Sequence, residues 1–475
     1  MNLPNFSGNL GLSGFLPQWR RLRAFGLAFV LLSAAVARAA DTFEWETNKN
    51  LVSADIKAGR LYPLLEQIAA STGWRVFVEP DAGRNISAKF KNLPPGEALH
   101  LLLGDLNFAM VPEPNGSSKL FVFHTKMQNA TQLVQPAKPA AAVASKPKPI
   151  PNELVVRLKP GAKIEDLARL LGAKVIGRID GLNAYRLQFD GADSTDAART
   201  QLASNSDVSS VESNFVVDRP EVPQAVQANV PPLQLQLNPT PANGRTIIGL
   251  VDTAIQEPLP NGLDSFLLKP VSVAGDAQLD PNAPSHGTSM AETILRTLQT
   301  LGNGSSAVQI LPIDVYGPNP TTSTFDVAQG VAAAVNGGAQ LVNLSLGSSA
   351  DSQLLQDLIT QADQKGVVFY AAKGNTPVTA PFYPAADKGV TPVTALNPDG
   401  TVTSWANEAA IPAVGAMGTV VVQFNGQSFV VQGTSPATAI GTGTTAYYMD
   451  TGGLTAQQAN EKILQGPTKT TIPNK

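Results

Sequence analysis

Apolar and polar residues form two alternating patterns along the C-terminal half of the chain, from residue 246 to residue 466. Short apolar runs typical of buried strands alternate with longer stretches in which apolar residues return every three or four positions, as on one helix face. The predicted strands are 247–251, 308–313, 339–344, 367–372 and 391–395, and the predicted helices are 289–301, 325–336 and 352–365. This alternation predicts an α/β domain built on a doubly wound parallel sheet.

The pattern ahead of residue 246 predicts two small α+β domains. In residues 41–126 the predicted helices are 61–69 and 95–103, and the predicted strands include 74–78, 86–90 and 120–123. In residues 151–219 the predicted strands are 153–158, 174–179, 184–189 and 208–217, and the predicted helices are 164–171 and 195–202. The second set has the order β-α-β-β-α-β of a split two-layer domain. The chain is therefore predicted to be multidomain.

Three further segments follow neither pattern. Residues 127–150 are rich in Ala, Pro and Lys, and residues 220–245 are rich in Pro, Gln and Asn. Such compositions bury little apolar surface, so we expect linkers at both places, and proline stiffens the first into an extended spacer. The second linker either contains a maturation cut or remains an uncut connection. Residues 467–475 are predicted to form a disordered C-terminal end.

The first 40 residues have the layout of a signal peptide. Arg20, Arg21 and Arg23 precede the apolar stretch 24–36, and Ala37-Arg38-Ala39-Ala40 follows it as a small-residue cleavage site. The alternative is an uncleaved membrane anchor, but the apolar stretch is shorter than the roughly 20 residues that cross a bilayer. We therefore predict an exported protein.

Composition removes several classes of function. The 475 residues carry a net charge of −3 with 15% charged residues and no basic stripe, which argues against nucleic-acid binding. The absence of cysteine excludes thiol catalysis, thiolate zinc sites and disulfides. No oxygen-rich cluster indicates calcium, so we predict neither a metal nor a cofactor.

One histidine carries the first chemical hypothesis. Of the three histidines only His286 lies in the C-terminal half, and Gly433-Thr434-Ser435 follows it much later in the chain. A histidine can accept and return the proton of a serine hydroxyl near neutral pH. Asp252, which directly follows the first predicted strand of the sheet, is a candidate carboxylate to orient the imidazole. The residues predict a serine hydrolase with the chain order Asp, His, Ser.

Five motifs together resemble the subtilisin-like serine peptidases. They are Asp252-Thr253-Ala254, His286-Gly287-Thr288-Ser289-Met290-Ala291, Asn343-Leu344-Ser345-Leu346-Gly347, Ala371-Ala372-Lys373-Gly374-Asn375 and Gly433-Thr434-Ser435-Pro436-Ala437. The resemblance implies that Ser435 is the nucleophile, His286 the general base and Asp252 its orienting carboxylate. It further implies that the amide of Asn375 and the backbone N–H of Ser435 stabilise the oxyanion.

The same resemblance implies where a polypeptide substrate binds. The predicted substrate-binding residues form two wall segments that receive an extended strand, one of Ser345, Leu346 and Gly347 and one of Ala371, Ala372 and Gly374. This mode of binding implies endopeptidase action on loops or unfolded segments.

Three positions depart from the family pattern, and each site residue also has an ordinary structural explanation. Ala254 stands where the family has glycine, Pro436 where methionine is common, and Ala439 where proline is usual. Alone, Asp252 could be a strand-end carboxylate, Ser435 a helix cap and Asn375 a turn residue. Their joint presence favours the catalytic interpretation. Lys373 is expected either to favour acidic substrate residues or to point to water, and we favour water.

The two small domains carry resemblances of their own. Leu158-Lys159-Pro160-Gly161, Ala184-Tyr185-Arg186-Leu187 and Val211-Glu212-Ser213-Asn214-Phe215 resemble the inhibitor-type propeptide of subtilisin-like peptidases. That family implies an intramolecular inhibitor whose C-terminal part occupies the active cleft until it is removed. The strand and helix order of residues 41–126 resembles the short N-terminal domain of secretins and TonB-dependent receptors. This resemblance implies that residues 41–126 dock to an envelope or secretion-system protein. It also implies that the protein is located in the periplasm of a Gram-negative bacterium or is secreted.

Two functions remain open from the sequence. The first is an exported serine endopeptidase that cleaves its own chain between residues 218 and 246. The alternative is a binding or assembly protein of the cell envelope that keeps the fold with weak or no catalysis. A third idea, a lipase or esterase, is disfavoured because the chain lacks the Gly-x-Ser-x-Gly elbow and has a different triad order.

Overall fold

The structure is a computed structural model that describes residues 41–80, 82–113, 118–137, 145–225, 235–240, 246–466 and 469–470. The predicted signal peptide lies outside these residues, as does most of the predicted C-terminal end. The described residues from Asp41 onward belong to one compact unit. Within the described residues no helix combines the length and apolar character needed to cross a membrane.

The first domain contains two sheets and two helices around one apolar core. Its elements are β1 (Thr42–Glu46), β2 (Leu51–Arg60), α1 (Leu61–Thr72), β3 (Arg75–Val78), β4 (Asn85–Leu93), α2 (Pro95–Leu103), β5 (Asn107–Pro112), β6 (Ser118–Phe123) and β7 (Gln132–Val134). The sheet orders are β1-β2-β4 and β5-β6-β3-β7. Gly73 ends α1 with a φ of 69°, a conformation that glycine adopts without steric cost.

Part of the predicted linker 127–150 belongs to this domain. Strand β7 pairs with β3, and Val134 is buried in the core. The expectation of a freely extended spacer therefore does not hold for residues 132–134. A three-residue strand is too short to show a periodic pattern, so its place becomes visible only when β3 lies beside it.

The second domain has the predicted β-α-β-β-α-β order. Its elements are β8 (Pro149–Leu158), α3 (Ile164–Leu171), β9 (Lys174–Ile179), β10 (Ala184–Gln188), α4 (Ala192–Ala203) and β11 (Val208–Asp218). Its antiparallel strands run in the order β11-β8-β10-β9. Both helices contribute apolar residues to one core with this sheet.

The C-terminal domain is built on an eight-stranded sheet whose neighbouring strands are all parallel. In order along the chain its elements, with the short strands that precede and flank it, are β12 (Gln224–Ala225), β13 (Asn238–Pro239), β14 (Ile247–Asp252), β15 (Val271–Ser272), α5 (His286–Leu301), β16 (Ser305–Ser306), β17 (Gln309–Asp314), β18 (Thr321–Ser323), α6 (Thr324–Asn336), β19 (Leu341–Leu344), α7 (Gln353–Asp363), β20 (Val368–Ala372), β21 (Val390–Leu396), β22 (Val414–Met417), β23 (Thr419–Phe424), β24 (Gln427–Gln432), α8 (Thr434–Gly452), α9 (Ala456–Gln465) and β25 (Lys469–Thr470). The sheet order is β15-β17-β14-β19-β20-β21-β22-β25.

Helices cover both faces of this sheet, as predicted for a doubly wound domain. Helices α6 and α7 pack in one core, and α5 and α8 pack in the other. The strands are apolar on both sides for this reason. The order of β14, β17 and β19 in the sheet differs from their order in the chain, and the ends of such strands are where ligand sites form.

The predicted linker 220–245 is also partly packed. Leu235 and Leu237 are buried in the core that contains α5 and α8, and β12 pairs with β24. Residues 235–237 alternate between apolar and polar over only three positions, which is too short to predict a strand. These described parts of the linker are therefore attached to the C-terminal domain.

Candidate active site

Asp252 and His286 meet at the carboxyl end of the sheet. Asp252 is the last residue of β14 and is fully buried, while His286 is the first residue of α5. The Nδ1 atom of His286 lies 2.8 Å from Oδ1 and 2.9 Å from Oδ2 of Asp252. A carboxylate at this position favours a proton on Nδ1 and leaves Nε2 free to accept one.

The start of α5 explains why the histidine lies so close to β14. Ser285 caps the helix by accepting a hydrogen bond from the Thr288 backbone N–H. Gly287 donates its N–H to Thr253 Oγ1 at 2.8 Å, and a Cβ at Gly287 would come within 2.1 Å of the Thr253 carbonyl oxygen. Only glycine allows the start of α5 to lie this close to the backbone at the end of β14.

Ser435 lies at the start of α8 but does not bond to His286. Its hydroxyl donates to the carbonyl oxygen of Ser345 at 3.1 Å, and the Ser345 hydroxyl donates to the Ser435 carbonyl oxygen at 3.1 Å. No hydrogen bond joins Ser435 to His286 among the described residues. The structure therefore brings Asp252 and His286 together and turns the Ser435 hydroxyl toward the predicted substrate wall.

Asn375 is positioned as an amide donor beside Ser435. Its Oδ1 accepts hydrogen bonds from the backbone N–H of Thr434 at 2.8 Å and from the Thr434 hydroxyl at 2.9 Å. Both acceptor contacts direct the Nδ2 group of the amide toward Gly433, where a Cβ would lie 2.8 Å from it. Gly433 also has a φ of 147°, which disfavours other residues.

Both predicted substrate walls are largely buried, and of their six residues only Gly347 is partly exposed. Leu346 and Gly347 line a small cavity together with Val217 of the second domain. Ala371 and Ala372 are buried in β20, and Ala371 packs in the core beneath α6 and α7. Gly374 follows with a φ of 105° and donates its N–H to the Thr434 hydroxyl.

The chain's own residues 216–225, here called the tail segment, lie along the site. Val216, Val217 and Asp218 pair antiparallel with β18, and the Arg219 N–H donates to the Pro320 carbonyl oxygen at 3.2 Å. At the other end, Gln224 and Ala225 pair antiparallel with β24, the strand that leads into Gly433. Residues 219–223 join the two pairings.

Charged contacts hold the second domain against the C-terminal domain. Arg186 bridges Glu153 of its own domain at 2.7 Å and Asp326 of α6 at 3.1 Å. Burial opposes the charge of Arg186, yet these two carboxylates hold its pKa above the ordinary value. Glu212 accepts hydrogen bonds from the Ser352 hydroxyl at 2.8 Å and the Gln353 N–H at 2.9 Å, at the start of α7.

The structure places two residues that the sequence analysis singled out. Ala254 lies outside the positive φ region, so the extra Cβ adds no backbone strain there. Lys373 is 9% exposed and lines a cavity of about 490 Å³ with Thr394, Thr403 and Asn407, and burial lowers its pKa. This cavity does not include the wall 345–347. No cluster of three or more metal-ligating side chains occurs in the described part of the chain.

Sequence reasoning assigned no role to Thr434 or Tyr316. Thr434 holds the amide of Asn375. Its position between Gly433 and Ser435 is the feature of the sequence that indicates a role in the site. Tyr316 donates its hydroxyl to the Asp218 carbonyl oxygen at 3.1 Å, which links the C-terminal domain to the tail segment. The sequence around Tyr316 contains no pattern that predicts a contact with a residue as distant as Asp218.

Comparison with known families agrees with this geometry. Residues 244–472 match the Subtilase family, and residues 135–214 match the Fervidolysin N-terminal prodomain. The C-terminal domain is therefore similar to the Subtilase family, and a region similar to a prodomain precedes it. The matched prodomain begins earlier than the predicted boundary at residue 151.

Individual relatives support the same class. A Thermostable alkaline protease of Halalkalibacterium halodurans is 32% identical over 181 residues, which cover 35% of this chain and 49% of the relative. The chain thus spans about half the length of the curated relatives it matches.

Solved structures show the fold. Fervidolysin from Fervidobacterium pennivorans, described as a keratinolytic enzyme related to subtilisin, has a TM-score of 0.50 at 17% identity, covering 70% of this chain and 60% of that one. A mutant of the Epidermin Leader Peptide Processing Serine Protease from Staphylococcus aureus has a TM-score of 0.51 at 16% identity, covering 68% and 94%.

Proposed function

We propose that this protein is an exported serine endopeptidase held in an inhibited state by its own second domain. The observation that carries the proposal is the contact of His286 with buried Asp252. It is supported by the hydrogen bonds that hold the amide of Asn375 to Thr434, the residue before Ser435. His286 takes the proton of Ser435 as the hydroxyl attacks a peptide carbonyl, and returns it to the leaving amine. Asn375 Nδ2 and the Ser435 N–H stabilise the oxyanion.

The present orientation of Ser435 is compatible with an inhibited state. Its hydroxyl donates to the Ser345 carbonyl oxygen, an acceptor in the wall that a substrate strand would use for its own N–H groups. A substrate N–H that takes this acceptor releases the hydroxyl to rotate toward His286. We propose that substrate binding and assembly of the triad are coupled in this way.

The tail segment supplies the inhibition. It pairs with β18 on one side and with β24 on the other, and its residue Val217 lines the same small cavity as Leu346 and Gly347 of the predicted substrate wall. Cleavage between residues 218 and 246 would remove the block. Pro220 and Pro223 lie inside the connecting stretch, and proline lacks the N–H that would complete the pairing there.

Export and docking complete the proposal. The charged, apolar and small-residue order of residues 1–40 supports secretion across the inner membrane. The first domain is proposed to bind an envelope or secretion-system protein in the periplasm, on the strength of its resemblance to the short domains of secretins and TonB-dependent receptors.

Labelling of Ser435 tests the enzymatic part. The wild-type chain, Ser435→Ala and Glu212→Ala are incubated with a fluorophosphonate, and cleavage between residues 218 and 246 is followed by mass spectrometry. Glu212→Ala loosens the second domain without touching the triad. We expect labelling in the wild type, faster labelling in Glu212→Ala and none in Ser435→Ala. Absence of labelling in both serine-containing proteins would overturn the proposal and favour a binding role.

A further inference from the structure

The arginine of the tail segment sits in a site built from one turn of the C-terminal domain. The guanidinium carbon of Arg219 lies 5.6 Å from the ring centroid of Tyr316. Its Nη1 donates to the Asn319 carbonyl oxygen at 2.7 Å, and its Nη2 donates to the Gly317 carbonyl oxygen at 3.5 Å. An aromatic face and two carbonyl oxygens are the groups that recognise a planar cation.

The turn that forms this site is held in place by its own contacts. The N–H groups of Tyr316 and Gly317 donate to Asp314 Oδ1 at 2.9 and 3.0 Å, and Asn319 donates through both its N–H and its side-chain amide to the Tyr316 carbonyl oxygen. Gly317 has a φ of 54°, and a Cβ there would lie 2.3 Å from the Ala274 carbonyl oxygen. The acceptors are therefore fixed before any arginine arrives.

The electrostatic surroundings favour a cation. The Tyr316 side chain is fully buried, and burial together with the carboxylates of Asp252, Asp218 and Asp314 raises its pKa well above the ordinary value, while Arg219 opposes this rise. The negative charges of these three carboxylates attract the guanidinium that lies against the Tyr316 ring. The phenol stays protonated and donates to the Asp218 carbonyl oxygen.

The site adjoins the catalytic residues. Tyr316 follows β17, whose last residue Asp314 pairs with Asp252 in the sheet. The backbone of the tail segment continues from its pairing with β18 through the bond between Arg219 and Pro320, so the arginine is presented as the side chain of an extended strand.

We propose that Tyr316, with the carbonyl groups of Gly317 and Asn319, forms an arginine-binding subsite of the substrate cleft, and that Arg219 occupies it in the inhibited state. The inference rests on the proposed function and names a substrate class for it: polypeptides with an arginine at the position of Arg219. Lysine is a poorer ligand because a point charge on a flexible stem cannot stack on the ring and reach both carbonyl oxygens together.

The first arm of the test measures how firmly Arg219 holds the tail segment. Full-length wild type, Arg219→Gln and the control Arg169→Gln are labelled with a fluorophosphonate. Arg169 is an exposed arginine on α3 that pairs with Asp166 of the same helix. We expect Arg219→Gln to label about ten-fold faster than wild type, since a charged hydrogen-bonded contact is lost, and the control to match wild type.

The second arm measures side-chain preference with synthetic peptides. Three synthetic peptides with the sequence of residues 214–225 carry arginine, lysine or glutamine at the position of Arg219, and each competes with labelling of the Arg219→Gln protein. The arginine peptide should protect Ser435 at about ten-fold lower concentration than the glutamine peptide, with lysine between them. Tyr316→Leu in the same background should reduce this preference.

The outcomes separate this inference from the proposed function. If no serine-containing protein labels, the enzymatic function itself fails. If labelling occurs but the three peptides protect equally, the endopeptidase proposal stands and the arginine subsite is overturned. Should Tyr316→Leu not fold, the peptide comparison in the Arg219→Gln protein still decides the matter.

Discussion

At the scale of single residues, the site depends on groups whose partners fix their orientation. The Asp252 carboxylate accepts a hydrogen bond from the Thr253 N–H at 2.7 Å and also contacts the imidazole of His286, so it cannot rotate freely. Asn375 is held through its oxygen by Thr434, which leaves its nitrogen as the donor. Each residue thus has one atom that positions it and another that is proposed to act.

Asp252→Asn is expected to preserve the fold and reduce turnover by about 10⁴-fold. An amide oxygen at this place can still accept from Nδ1, but the neutral group no longer stabilises the imidazolium and permits the wrong tautomer. Hydrolysis of a peptide substrate and circular dichroism measure activity and fold together. A loss of less than ten-fold would contradict the assigned role of Asp252.

Asn375→Asp separates the two functions of this amide. The carboxylate can still accept from the Thr434 N–H and hydroxyl, whereas the donor toward the oxyanion is lost. Turnover should fall by at least about 10²–10³-fold. The Michaelis constant should change much less, because the oxyanion exists only in the transition state. A rise confined to the Michaelis constant would place Asn375 in substrate binding instead.

At the scale of elements, helix α7 and strand β11 form the junction between the second domain and the C-terminal domain. Glu212 of β11 accepts from the Ser352 hydroxyl and from N–H groups of the first turn of α7. A carboxylate at a helix N-terminus satisfies free donors and interacts favourably with the helix dipole. Arg157 of β8 adds an ion pair with Asp357 of the same helix.

Glu212→Ala should weaken the hold of the second domain, because the Ser352 hydroxyl and the Gln353 N–H lose their acceptor across the junction. We expect Ser435 labelling to accelerate about ten-fold or more, as hydrogen bonds to a charged group are worth about 1.5–3 kcal/mol. The matched control is Glu165→Ala, which removes an exposed glutamate that pairs with Arg178 inside the second domain. Equal acceleration in both variants would show that the effect is not specific to the junction.

At the scale of the whole molecule, the first domain also contacts the C-terminal domain. Glu66 of α1 is buried and accepts the Ser404 N–H at 3.2 Å, with Asn397 and Asp399 nearby. Burial raises the pKa of Glu66 to about 7, and Asp399 adds repulsion. One Asp399 oxygen is buried without a hydrogen-bond partner in the described structure. This contact places a titrating carboxyl between two domains.

Stability should therefore depend on pH through Glu66. Between its ordinary pKa of 4.5 and about 7 the folded protein holds a proton that the unfolded chain releases, so stability falls as pH rises through this interval. Thermal unfolding of wild type and Glu66→Gln from pH 5 to 8 measures the difference. The variant should gain relative stability toward pH 8. Parallel curves would mean that Glu66 does not titrate at the interface.

Much of this molecule follows from local pattern. The alternation of apolar runs and helical stretches predicted the parallel sheet, since strands buried on both faces must be apolar along their length. The helix α3 and the strand β9 were predicted with the bounds the structure has. Short strands such as β7 and β12 were missed because two or three residues carry no period.

The sequence by itself determined the fold class, the order of the domains and the residues that meet at the carboxyl end of the sheet, because these depend on periodicity and on motifs of adjacent residues. Only the tertiary structure decided that the Ser435 hydroxyl faces Ser345, that Arg219 stacks on Tyr316 and that Glu66 is buried against Ser404. Those contacts join residues about ninety to several hundred positions apart. Their geometry is set by packing between elements, which no local pattern encodes.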